Sequence, residues 1–177
     1  QNTSIHRSLH AWFALLVITI LALVQAAPVS ISHNGLTLNG NLEVADEGTL
    51  ADGVVLIVHA LMQHYDTEII AGLQQGLKEA GRHSLAINLS LGLDDRKGSY
   101  RCEQPHQYLF DDAADEGLAW TRWLRAQGAG PVSLMGHSLG ANQVLGLAVD
   151  HADADFSSLV LLSPMTTGYE RLVSAYE

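Results

Sequence analysis

The residues best suited to chemistry stand in five consecutive positions, Gly136-His137-Ser138-Leu139-Gly140. A serine flanked by glycines two positions away on either side is what a sharp strand-to-helix turn requires. That turn forces Ser138 into a strained backbone conformation with little room for neighbouring Cβ atoms, and Gly136 and Gly140 have none. It would lift the serine hydroxyl above a sheet edge and aim the first amides of the next helix at an incoming oxyanion. The flanks fit: an apolar run, Val132 to Met135, precedes the motif, and a helix-compatible segment, Ala141 to Asp150, follows it. Alone, the pentapeptide could arise by chance. Between a strand and a helix it reads as a nucleophile elbow. An attacking serine also needs an oxyanion partner, a general base and an acid to orient that base.

The elements that would position these groups alternate along the chain. Val29 to His33 and Leu36 to Val44 alternate apolar and polar residues around Asn34-Gly35, a strong hairpin signal. Asn39-Gly40 inside the second run suggests a bulge. Gly53 to His59 is a continuous aliphatic run, the pattern of a strand buried on both faces. A helix capped by Asp66 then carries Ile69, Leu73, Leu77 and Ala80 on one face and ends at Gly81. His83 to Leu89 reads as the next strand, followed by a polar loop through Gly92 and Gly98. Gln107 to Arg125 is a second amphipathic helix, with Phe110, Ala113, Gly117, Trp120 and Leu124 inward. Asp111, Asp112, Asp115 and Glu116 crowd its first half and read as a solvated face suited to the helix dipole. After the elbow, Phe156 to Ser163 is one more strand. Following the hairpin, this strand–helix alternation predicts an α/β fold, a mostly parallel sheet with right-handed crossovers and flanking helices.

Composition narrows the function classes. The chain has 177 residues, 47% hydrophobic and 16% charged, with a formal net charge of −10. It is long enough for one domain with a real core. The acidic balance, without clustered Lys and Arg, argues against a nucleic-acid partner. Nine His are present without Cys-x-x-Cys or His-Glu-x-x-His spacing, so neither a metal nor any other cofactor is expected. Ala11 to Val24 is a 14-residue apolar run broken only by Thr19, between a mildly basic start and the small-x-small end Val24-Gln25-Ala26. It reads as a signal peptide over residues 1–26, cleaved after Ala26, and the chain as an exported protein, periplasmic or secreted. The run is short for a bilayer span; left uncleaved, it would anchor the protein to a membrane. Cys102 is the single cysteine. In an oxidising compartment it is either buried and inert or paired with a partner outside the given sequence; its polar surroundings favour the latter.

From residue 29 onward the chain resembles the N-terminal half of an α/β-hydrolase. The opening hairpin, the buried strand ending in His59-Ala60, the elbow Gly136–Gly140 and the order of elements carry the resemblance. It implies that the backbone amides of Leu61, or alternatively Met62, and of Leu139 form the oxyanion hole. The family usually shows His-Gly where this chain has His59-Ala60. It also implies the chain order serine, acid, histidine, which makes His59 a buttress of the oxyanion loop rather than the base. After Ser138 the given sequence holds only His151, carried away along the elbow helix. Neither Glu170 nor Glu177 directly follows a strand. The expectation is therefore an incomplete domain over residues 27–177, with the acid and base beyond residue 177. The resemblance, joined to the signal peptide, implies an exported serine hydrolase cleaving an ester, thioester or amide, with a small-molecule or lipid-like ester as substrate. The alternative is a non-catalytic or membrane-tethered binding protein on the same scaffold. Oligomeric state is not legible.

Overall fold

The computed structural model describes residues 26–104 and 108–166. The apolar run Ala11 to Val24 and the C-terminal Glu170 and Glu177 lie outside the described residues. The first strand, β1 (Ala27–His33), pairs antiparallel with β2 (Leu36–Glu43). His33 stands opposite Leu36, so Asn34-Gly35 form the whole turn, with φ values of 47° and 81°. Two positive φ angles in a two-residue loop match the right-handed twist of the strands, which is why Asn-Gly is favoured there. The remaining strands are β3 (Val54–Val58), β4 (His83–Ile87), β5 (Val132–His137) and β6 (Ser158–Leu162). Their order across the sheet is β1-β2-β4-β3-β5-β6. Strand β2 meets β4 antiparallel, and every pairing from β4 to β6 is parallel.

Three helices flank the sheet: α1 (Glu68–Glu79), α2 (Asp112–Ala126) and α3 (Leu139–Asp150). The aliphatic run in β3 is explained by burial on both sides. Leu56 and Val58 join the main core with Leu85, Ile87, Leu134, Trp120, Leu124, Val144 and Leu147, under α2 and α3. Ile57 faces the other way and packs with Ala86 and Ile70 beneath α1.

Several sequence expectations shift. No bulge forms at Asn39-Gly40, because β1 and β2 keep an unbroken register from Ala27–Leu42 to His33–Leu36. Gly40 serves close packing instead: a Cβ there would lie 3.1 Å from Ala86 O and 3.3 Å from the Trp120 ring. Helix α1 is preceded by Thr67 as its N-cap residue, not Asp66, and its inward face is Ile70, Leu73, Gln74 and Leu77. Ile69 is 49% exposed and Ala80 also faces outward. The buried Gln74 disguised that face. Its amide exchanges hydrogen bonds with Asn41 and donates to Ser84 Oγ, so a polar side chain sits satisfied at a core position. Helix α2 begins at Asp112 rather than Gln107. Asp112 Oδ2 accepts the Leu109 amide at 2.7 Å and closes the turn that precedes it. Cys102 is exposed, and its thiol is free among the described residues, so the buried alternative does not hold.

Two helical glycines should respond oppositely to alanine. Gly76 in α1 has open space where a Cβ would go. Gly117 in α2 would place its Cβ 2.7 Å from Leu147 Cδ2 of α3. Urea unfolding should show Gly76→Ala stabilising by ~0.5–1 kcal/mol through reduced chain entropy. Gly117→Ala should destabilise by ~1–3 kcal/mol through overpacking.

Candidate active site

Strand β5 ends at His137 and α3 begins at Leu139, so Ser138 alone makes the turn, at φ 55° and ψ −121°. A non-glycine residue in that region is strained and must be held by its surroundings. The holding is done by backbone. The Ser138 amide donates to Leu162 O of β6 at 2.9 Å, and Ser138 O accepts the Ala141 amide at 3.0 Å. A Cβ on Gly136 would lie 2.2 Å from Gly140 O. One on Gly140 would lie 2.4 Å from His59 O and 2.6 Å from Val58 O. Both glycines are therefore required: the start of α3 is seated directly on the end of β3. Ser138 is half-buried, and its hydroxyl has no hydrogen-bond partner among the described residues.

The segment after β3 lies beside this turn. Ala60 O accepts the Gln63 amide at 3.1 Å, and Met62 takes a positive φ of 59° within that turn. Within the described residues the amides of Leu61, Met62 and Leu139 make no hydrogen bond. Leu61, Met62 and Leu139 line one cleft with His59, Leu91, Tyr108, Phe110 and Gln143. The structure thus brings Leu61 and Leu139 to the same cleft, at the C-terminal edge of the parallel strands. His137 is half-buried, with a buried Nδ1 that has no partner among the described residues.

His59 sits under the Ala60–Gln63 turn, fully enclosed. Its Nε2 lies 2.8 Å from Arg96 Nη2 and 3.3 Å from the Leu89 amide. Both of those groups can only donate, so Nε2 accepts and Nδ1 carries the proton, which it donates to Ala60 O at 2.7 Å. Burial first, then the Arg96 charge, lowers its pKa to about 3. His59 is held neutral in one tautomer, a buttress rather than a proton shuttle.

Two supporting residues escape sequence reading. Arg96 belongs to the run Asp94-Asp95-Arg96-Lys97, which has the look of a solvated loop, yet it is buried. Its guanidinium donates to Leu89 O, Gln63 O and Gly98 O at 2.6, 2.8 and 2.6 Å, in addition to His59. One side chain thus ties the end of β4 to the turn after β3. Burial lowers its pKa to about 10. Glu116 stands among exposed acids but is only 4% exposed. It accepts the Ser90 amide at 2.7 Å and the Ser90 hydroxyl. Burial raises its pKa to about 7, against the Ser90 hydrogen bonds that favour the charged form. A signal for Glu116 existed: it lies three residues after Ala113 and four before Trp120, on the inward face of α2. For Arg96 there was none beyond its place in a loop at this edge.

His151 lies at the far end of α3, about 18 Å along the helix from the elbow at 1.5 Å per residue. Its Nε2 is 3.8 Å from Asp115 Oδ1. Among the described residues no histidine is hydrogen-bonded to Ser138, and no three His, Cys, Asp or Glu side chains are grouped to hold a metal ion.

Neither protein-family models nor curated proteins match this sequence. Solved structures do match. Est1E from Butyrivibrio proteoclasticus, determined with ferulic acid bound, superposes with a TM-score of 0.65 at 21% identity, over 77% of this chain and 52% of its own. Dienelactone hydrolase from Anabaena variabilis gives 0.60 at 21% identity, over 76% of this chain and 61% of its own. XC6422 from Xanthomonas campestris, described as an α/β serine hydrolase without a lid, gives 0.55 at 19% identity, over 72% of this chain and 57% of its own. The chain has the α/β-hydrolase fold and spans about half the length of the first of these.

Two outcomes follow for the site. Gly140→Ala should destabilise by at least ~3 kcal/mol in urea, since a carbonyl rather than a movable side chain occupies the space. The buried His59 and Glu116 should give opposing pH slopes. His59 takes up its proton only near pH 3 instead of 6.5, so it lowers folding stability as pH falls through that window. Glu116 keeps its proton up to about pH 7 instead of 4.5, so its contribution is full below 4.5 and lost as pH rises through 7. Glu116→Gln removes the second slope. Its urea midpoint should fall more steeply than the parent's on acidification from pH 7 to 4.5.

Proposed function

We propose that this chain carries the nucleophile half of an exported serine hydrolase that cleaves carboxylic esters through an acyl-enzyme on Ser138. The observation that carries this reading is the half-buried hydroxyl of Ser138, without a hydrogen-bond partner among the described residues, on a strained one-residue turn. A strained backbone of this kind costs about 1–3 kcal/mol and is retained where it presents a reacting group. Ser138 Oγ attacks the carbonyl carbon, and the amides of Leu61, or of Met62, and Leu139 receive the developing oxyanion. A histidine, oriented by a carboxylate, takes the serine proton and returns it to the leaving alcohol; water then repeats the sequence to free the acid. Both residues are assigned to sequence beyond residue 177. His59 is excluded from that role by its two donors and its burial.

The cleft beside the elbow is small and apolar. Leu61, Met62, Leu91, Leu109, Phe110 and Leu139 line it, and no charged side chain does among the described residues. The dienelactone hydrolase among the structural neighbours supports a small or lipid-like ester over an amide. Export rests on the apolar run Ala11 to Val24 and its small-x-small end Val24-Gln25-Ala26, read as a cleaved signal peptide.

In the intact protein, Ser138→Ala should lower kcat/KM for p-nitrophenyl acetate by ~10³-fold or more while leaving the unfolding midpoint within ~1 kcal/mol of the parent. Turnover surviving at parental rate would refute the role. An intact protein that turns over no ester and is not labelled at Ser138 by a fluorophosphonate would favour a binding protein on this scaffold.

A further inference from the structure

The turn that forms one wall of the cleft is held from behind. Ser90, Leu91 and Gly92 follow β4, and Leu91 and Gly92 both have positive φ, 52° and 80°. A leucine with that backbone is strained unless its neighbours are fixed. Leu91 is buried and lines the cleft. Four hydrogen bonds hold the turn: Leu93 N–H to Ser90 O at 3.1 Å, Gly92 N–H to Ser90 Oγ at 3.1 Å, and the Ser90 amide and hydroxyl to the two oxygens of Glu116. The residue before the turn, Leu89, donates its amide to His59 and gives its carbonyl to Arg96. Those two side chains in turn hold Ala60 O and Gln63 O.

We propose that Glu116 is a positioning residue of this site: from helix α2 it locks the Ser90–Gly92 turn, and through Leu89 the His59–Arg96 pair beneath the Leu61–Met62 turn. It touches no reacting atom. The inference rests on the hydrolase reading for its effect on catalysis, and on geometry alone for its effect on the turn. The groups around the Glu116 carboxylate are few. Asp112 on its own helix opposes its ionisation, and Arg96, from the loop after β4, favours it. Tyr108, from the segment before α2, is itself pushed well above its ordinary pKa by burial and then by Glu116 and Asp112. His33, from the end of β1, and Asp115 line the cavity that opens beside it. The ionised carboxylate accepts both Ser90 donors. Once protonated, it keeps the Ser90 amide and reverses the second bond, its O–H donating to Ser90 Oγ.

The test combines amide hydrogen exchange at Ser90, Gly92 and Leu93 with KM and kcat for p-nitrophenyl butyrate, at pH 8, in the intact protein. Glu116→Gln keeps the shape but replaces charge-assisted hydrogen bonds with neutral ones. It should lower protection of the turn amides by ~10-fold at pH 8, the weight of one charge-assisted hydrogen bond. It should raise KM by ~5-fold or more with kcat within ~3-fold. Ser90→Ala, which deletes the hydroxyl and keeps the amide, should move each readout the same way and serves if the first variant does not fold. Protection and KM within ~2-fold of the parent in either variant would overturn the proposal. If the intact protein hydrolyses no ester, the hydrolase reading fails, and the exchange measurement alone decides whether Glu116 holds the turn.

Discussion

The site depends on one contact between two stretches of backbone. The carbonyls of Val58 and His59, at the end of β3, approach Gly140 so closely that a methyl group would overlap them. Gly136 and Gly140 make the same close approach to each other. These contacts fix where α3 starts, and that start fixes the conformation of Ser138. The same contacts set the segment after β3 beside the first turn of α3, so Leu61 and Leu139 line one cleft. The Ser138 turn and the Leu61 and Leu139 segments are thus placed by main chain, which has few ways to relax.

Beneath that contact lies a buried polar scaffold. A buried guanidinium is costly unless its donors are used. Arg96 uses Nε, Nη1 and Nη2 on three carbonyls and one imidazole. Each acceptor belongs to a loop at the C-terminal edge of β3 or β4, the edge where open α/β sheets bind ligands. Asn39 and Asn88 both donate to Arg96 O, and Asn39 also reaches Asp95, so the loop that delivers the arginine is itself tied to β2 and β4. Loops at this edge cannot form a regular hydrogen-bond ladder, and side chains satisfy them instead.

The sequence made the chain order of strands and helices legible, because period-2 and period-3.6 patterns are local. The Asn34-Gly35 turn and the elbow were readable for the same reason: each needs particular backbone angles that few residues adopt. Long-range polar contacts were not. Gln74 shifted the apparent inward face of α1, since a buried amide looks exposed until its partners Asn41 and Ser84 are known. Glu116 was hidden among Asp111, Asp112 and Asp115, and Arg96 among charged neighbours. Gly40 looked like a bulge because its reason, the Trp120 ring packed above it, lies 80 residues away in the chain.

The most direct measurement is a crystal structure of the intact protein after reaction with a fluorophosphonate ester. The account predicts phosphorus bonded to Ser138 Oγ, with its phosphoryl oxygen about 2.7–3.1 Å from the amides of Leu139 and of Leu61 or Met62. An adduct on another residue, or an unmodified Ser138 whose hydroxyl points into the core, would contradict it.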